Sequence, residues 1–195
     1  MESVKEKKQA IRNDIVTKLA GFSTNKILEK TKAIENRLFE FANFLEAQTV
    51  LLYINRPGEV NTLDIIKRCF DYEKAVALPI FNTKTYEMVL FKVDNFEADL
   101  HPGPTGILEP NTSKCKVLPV EFIDIAIIPG IALEEKGSRL GSGDGDYDRL
   151  IPKLPITTRK VAIAFEDQIV QHVPTESHDK HVDIIITDQR IIFKI

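Results

Sequence analysis

The sequence predicts an α/β protein built on a largely parallel central sheet, and three observations carry that expectation. The first 48 residues show helical periodicity and almost no strand character. From residue 49 onward, short β-branched and apolar runs recur with helical patterns between some of them. Several of these runs lack polar alternation, as strands covered on both faces do.

In chain order, "KEKKQAIRNDIVTKLA" carries Ala10, Ile11, Ile15 and Leu19 near the period of one helix face, and Gly21 ends it. After "FSTN", with Ser23, Thr24 or Asn25 as N-cap, a second helix repeats the pattern through Ile27, Ile34, Leu38, Phe41 and Leu45. Strands are expected over 49–54, 75–80, 87–92, 124–130, 161–165, 183–187 and 191–194. Helices are expected over 61–72 and over 145–154, before Pro155. The stretch 94–119 has no clear periodicity. A loop of that length inside a compact domain is usually functional or mobile, so it is the place for a substrate-covering segment.

With 195 residues and 43% hydrophobic content, the chain suits one core, hence a single domain over 1–195. A net charge of −3, with both signs interspersed, argues against nucleic acid as a partner. Cys69 and Cys115 lie in no metal or redox spacing, and no apolar leader precedes the first helix. Both cysteines are expected to pack in the interior of a cytoplasmic protein. Runs such as "IDIAIIPGIAL" are shorter than the ~20 residues a membrane span needs. His172, His178 and His181 show no recognisable metal spacing, and no obligate partner is indicated, which favours a monomer.

The segment "GSRLGSGDGDYDRL" (137–150) is the most informative, with four glycines and three aspartates in fourteen positions. No Lys-Ser or Lys-Thr pair makes it a P-loop, and Gly141, Gly143 and Gly145 do not have the Rossmann spacing. Read as a calcium loop from Asp144, its sixth position is Arg149 and its twelfth Pro155, which excludes an EF-hand. Three possibilities stay open: an anion cradle of backbone amides before a helix, a Mg²⁺ site at Asp148, or a solvated turn. "DIAIIPG" runs towards this loop, and ligands of open α/β sheets bind beyond the carboxyl ends of strands.

The loop resembles the signature G-x-R-L-G-x-G-x-G-Y-Y-D of the 5-formyltetrahydrofolate cyclo-ligase family, also called methenyltetrahydrofolate synthetases. Four further segments match that family in order: "KQAIR" (8–12), "YINRPGEVNT" (53–62), "GILEP" (106–110) and "VPTESHDKHVDIIIT" (173–187). The resemblance implies a three-layer α/β/α domain. It also implies an enzyme that uses ATP and Mg²⁺ to close 5-formyltetrahydrofolate to 5,10-methenyltetrahydrofolate, releasing ADP and phosphate. Carried over by position, Lys8, Arg12 and the loop Arg139, Leu140, Gly141, Ser142, Gly143, Asp144, Gly145, Asp146 and Tyr147 would hold ATP. Arg139 and Tyr147 would be catalytic, Ile54 and Glu59 would contact the folate, and Asp148 and Asp179 would bind Mg²⁺. Alternatives are a binding module of this fold without turnover, and a ligase acting on another formylated substrate.

The chain departs from the family pattern at Asp146, where a tyrosine is usual, at Ser142 and Asp144, where a basic residue often stands, and at Leu133-Glu134, where Phe-Asp is typical. A carboxylate about 6 Å from a phosphate charge costs on the order of 2–3 kcal/mol at an effective dielectric of 20. Asp146 is therefore expected to face solvent, and Asp148, at a loop end, to be little buried.

Overall fold

The computed structural model describes residues 3–82 and 84–194. Its N-terminal part consists of α1 (Val4–Ala20), α2 (Thr24–Glu40) and α3 (Ala42–Glu46). Ser3 and Glu6 form a capping box on α1, and Ser23 caps α2 by accepting a hydrogen bond from the Lys26 amide. The second helix does not run on to residue 48. At Phe41 the backbone turns extended (φ −75°, ψ 117°), and α3 restarts the winding. Phe44 is thereby fully buried and Leu45 is 44% exposed, the reverse of what one straight helix requires. Phe44 meets Phe39 edge-on at 5.0 Å. Five residues apart, these rings would point to different sides of an unbroken helix.

The remaining elements are β1 (Thr49–Leu51), α4 (Leu63–Asp71), β2 (Ala75–Asn82), β3 (Glu87–Val93), α5 (Phe96–Asp99), β4 (Leu100–Pro102), β5 (Leu108–Pro110) and β6 (Lys116–Val117). They continue with β7 (Ile125–Ile128), β8 (Ala132–Leu133), β9 (Arg139–Leu140), α6 (Asp146–Leu150), β10 (Arg159–Ala164), β11 (Ile184–Thr187) and β12 (Ile191–Phe193). Each expected strand is present. β1 stops short, because the chain bonds once more from the Leu52 amide to Ala77 and then leaves the sheet, so Ile54 lies beyond the strand. The helix expected over 145–154 is α6 followed by a 3₁₀ turn, Ile151–Lys153, that contains Pro152.

The eight-stranded sheet has the order β12-β11-β10-β7-β1-β2-β3-β6. β11, β10, β7, β1 and β2 run parallel; β12 and β3 join them antiparallel at the two sides, and β6 pairs antiparallel with β3. Every residue of β7 is buried, and its side chains alternate between two cores. Ile125 and Ile127 face Ile15, Leu19, Ile34, Leu38, Phe44 and Ile66 from α1 to α4. Ala126 and Ile128 face Leu150, Ile151 and Leu154, and this thinner layer suits the alanines Ala77, Ala126, Ala162 and Ala164 on that side of the sheet.

Residues 94–119 are not one irregular loop. They contain α5, the β4–β5 hairpin and the edge strand β6. Polar side chains set this structure: Asn95 caps α5, and the Asp99 carboxylate accepts from the amides of Asp94 and Asn95. Local turns of this kind leave no hydrophobic period in the sequence. From β1 the chain goes to β2 on one side and later returns to β7 on the other. The crevice position therefore lies beyond the carboxyl ends of β1 and β7.

Candidate active site

A cavity of about 1130 Å³ opens at that position. Its walls come from the first turns of α1, the segment after β1, the ends of β2 and β3, the tip of the β4–β5 hairpin, the glycine loop after β9, and residues 176–179. All the residues singled out by motif line it: Lys8, Arg12, Ile54, Glu59, the loop 139–147, Asp148 and Asp179. The α1 face explains the first two. Lys8 and Arg12 continue the stripe of Ile15 and Leu19, so the same helix side is apolar over the sheet and cationic where the sheet ends. Ala10, expected on that face, is exposed.

Lys8 is buried and pairs with Asp179 at 2.6 Å and Glu176 at 2.9 Å. Burial opposes its charge, but these two carboxylates outweigh burial and raise its pKa. Burial likewise opposes the charge of Asp179, which Lys8 and the Glu176 amide nevertheless hold below the ordinary carboxylate range. Arg12 donates from Nε to the Gly141 carbonyl at 2.8 Å, tying α1 to the glycine loop.

Arg139 is almost wholly enclosed, its side chain 3% exposed. It donates to the Pro129 carbonyl and, at 3.1 Å, to Asp148, while its buried Nε has no partner among the described residues. The Tyr147 ring lies 5.8 Å from its guanidinium, and burial pushes the Tyr147 phenol well above its usual range, so it is a neutral O–H donor. Asp148 also accepts from the Lys180 amide at 2.8 Å, so it is not the little-buried loop end expected. The close Arg139 guanidinium draws it inward.

Asp146 does not face solvent. It is buried and paired with Arg149 at 2.8 Å, while Asp144 is exposed and paired with Arg56 at 2.8 Å. Both departures from the motif are thus charge-compensated by arginines outside the glycine run. Gly143 and Gly145 have φ of +116° and +71°, where a side chain would be strained. Asp148 and Asp179 both line the cavity with carboxylates, the hard oxygen donors that Mg²⁺ takes. Glu176, His178 and Asp179 place ligand atoms within 4.8 Å of one another, a closeness that three-residue spacing in a turn conceals.

Towards β2, β3 and β5 the walls carry the apolar Ile54, Pro79, Ile80, Phe81, Met88 and Leu108, together with Asn82, Lys84 and Glu109. Burial raises the pKa of Glu59, whose carboxylate accepts from the Arg56 amide at 2.8 Å. Sequence patterns missed four contributors. Arg56 lies inside a quoted motif but had no role. Glu109 reaches the cavity from β5 over Gly103, where a Cβ would come within 2.4 Å of its carboxyl carbon. Tyr53 lines the wall and donates to the Val60 carbonyl at 3.2 Å. Gln168 gives its amide to the carbonyls of Gly58, Gly130 and Ile131, fastening two wall segments from behind. Cys69 and Cys115 are buried away from the cavity, and burial pushes the Cys69 thiol up to about 12, as packing residues require.

Comparison with known proteins bears on the fold and the family. The family model described as the 5-formyltetrahydrofolate cyclo-ligase family matches residues 4–188. A Haemophilus influenzae 5-formyltetrahydrofolate cyclo-ligase is 28% identical over 89% of this chain and 94% of its own length. A Schizosaccharomyces pombe protein named as a probable 5-formyltetrahydrofolate cyclo-ligase is 30% identical over 97% of this chain and 98% of its own. The solution structure of an Aquifex aeolicus 5,10-methenyltetrahydrofolate synthetase superposes with a TM-score of 0.84 at 27% identity, covering 96% of this chain and 92% of that one. Ordered motifs, fold and a family match over nearly the whole length thus agree: this chain is an enzyme of the 5-formyltetrahydrofolate cyclo-ligase family.

Proposed function

We propose that the chain closes 5-formyltetrahydrofolate to 5,10-methenyltetrahydrofolate at the expense of ATP, with Mg²⁺, releasing ADP and phosphate. One observation carries the proposal: the residues transferred from four separate motifs converge on a single cavity that is cationic at one end and largely apolar at the other. A triphosphate suits the first end and a flat pterin the second.

In this reaction the formyl oxygen takes the γ-phosphoryl group and the bond to ADP breaks. N10 then attacks the formyl carbon, the carbon–oxygen bond breaks with departure of phosphate, and N10 loses its proton. The protein needs no nucleophile of its own; it positions the reactants and stabilises charge. Arg139 supplies positive charge to the phosphate from the cavity wall, with Tyr147 donating a hydrogen bond beside it. Lys8 and Arg12 hold the phosphates from the α1 side, and backbone amides of 140–146 wrap them. Ile54 packs on the pterin, and Glu59 accepts from its amine. Asp148 and Asp179 would hold Mg²⁺, which when bound screens the phosphate charge. All these groups come from one chain, so a monomer is a complete enzyme, acting in the cytoplasm on small molecules.

The test is direct. Incubated with 5-formyltetrahydrofolate, ATP and Mg²⁺, the protein should generate the absorbance of the methenyl product with matching release of ADP. A flat trace from folded protein that still binds ATP would leave it a binding module. Turnover of another formylated compound alone would reassign the substrate.

A further inference from the structure

We propose that Arg56 is a phosphate-binding residue of the nucleotide site, and that Asp144 holds it in readiness when no nucleotide is bound. The inference rests on the cleft being an ATP site. Arg56 belongs to the segment after β1, yet its Nη1 reaches across the cavity mouth to the glycine loop, 3.2 Å from Ser142 Oγ and 2.8 Å from Asp144 Oδ2. Its guanidinium thus stands beside the amides proposed to wrap the phosphates.

Three arginine–carboxylate pairs surround this loop, and they differ in how readily each can exchange. Arg139–Asp148 has side chains 3% and 17% exposed, and Arg149–Asp146 has 41% and 8%. In Arg56–Asp144 they are 43% and 54% exposed. Breaking either of the first two leaves an enclosed charge without its partner, whereas Asp144 released from Arg56 is hydrated at once. A phosphate oxygen offers Arg56 a stronger acceptor than one exposed carboxylate, because it belongs to a more highly charged group. The incoming nucleotide therefore takes Arg56 from Asp144. While the site is empty, the pair keeps a long, flexible cation at the mouth and masks a carboxylate that would otherwise repel the ligand. Arg56 meanwhile keeps its amide on Glu59, so the side chain can move without disturbing the folate end.

The experiment is calorimetric titration of the full chain with ATP and Mg²⁺, using wild type, Arg56→Ala, Asp144→Asn and the double variant. Both residues are substantially exposed, and superimposed thermal melts check the fold. If Arg56 binds phosphate and Asp144 competes for it, the single changes act in opposite directions. Arg56→Ala weakens binding about tenfold, and Asp144→Asn tightens it roughly three- to tenfold. In the double variant the Asn change still tightens binding relative to Arg56→Ala alone, because an unmasked Asp144 otherwise faces the phosphates. If both single changes weaken binding and the double is no worse than either, the pair is only a strap between loops, and the inference fails. It also fails if neither change moves the affinity. Absence of ATP binding by the wild type overturns the nucleotide assignment itself, and this inference with it.

Discussion

Asp148 shows how one charged contact can change what a substitution means. As a loop-end carboxylate it would be replaceable without structural cost. In the structure it is the counter-charge of Arg139, which is nearly enclosed, and it also takes the Lys180 amide. Asp148→Asn should therefore abolish the Mg²⁺-dependent activity and also destabilise the apo protein by about 1–3 kcal/mol. Paired thermal melts and rate measurements check both effects. Melts that superimpose would show that Arg139 tolerates the loss, and unimpaired turnover at limiting Mg²⁺ would remove Asp148 from the metal site. Asp146 carries the same lesson. Its pairing with Arg149 makes it a buried structural acid, so restoring a tyrosine there would also release Arg149.

The break between α2 and α3 matters at the scale of an element. A straight helix through residue 48 puts Leu45 in the core; the bend at Phe41 puts Phe44 there, against Phe39. Phe44→Ala should cost about 3–5 kcal/mol, while Leu45→Ala, at an exposed position, should stay near 0.5 kcal/mol. Denaturant unfolding of the two variants decides it, and comparable losses would mean the helix is continuous. The seven strands were legible because two-sided burial leaves uninterrupted apolar runs. The bend was not, since Phe41, Phe44 and Leu45 are all apolar and periodicity alone cannot choose among them. The structure within 94–119 was hidden for a different reason: it rests on Asn95, Asp99 and short pairings rather than on an apolar face.

Over the whole molecule, the cleft is closed by contacts between distant parts of the chain, and Lys8 with Asp179 is the clearest, 171 residues apart. The sign of its pH dependence follows from the two shifts. Asp179 is lowered, so its contribution is present above its unfolded pKa and is lost as pH falls through the folded value; Lys8 is raised, so its contribution is lost only as pH rises through its own folded value. Lys8→Met should thus lower the melting temperature at neutral pH by roughly 4–8 °C, for a loss of about 2 kcal/mol, and the difference should vanish once Asp179 is protonated. Melts of both proteins across the acid range test this, and a difference independent of pH would mean that Lys8 acts only by packing. The sequence by itself determined the α/β class, the succession of strands along the chain and many of the residues that meet at the cleft, because local apolar pattern and ordered motifs carry that information. Only the tertiary structure decided which charge answers which across the cleft: Arg56 for Asp144, Arg139 for Asp148 and Lys8 for Asp179. Such pairs form wherever folding brings long side chains within a few ångströms, and no spacing along the chain encodes that distance.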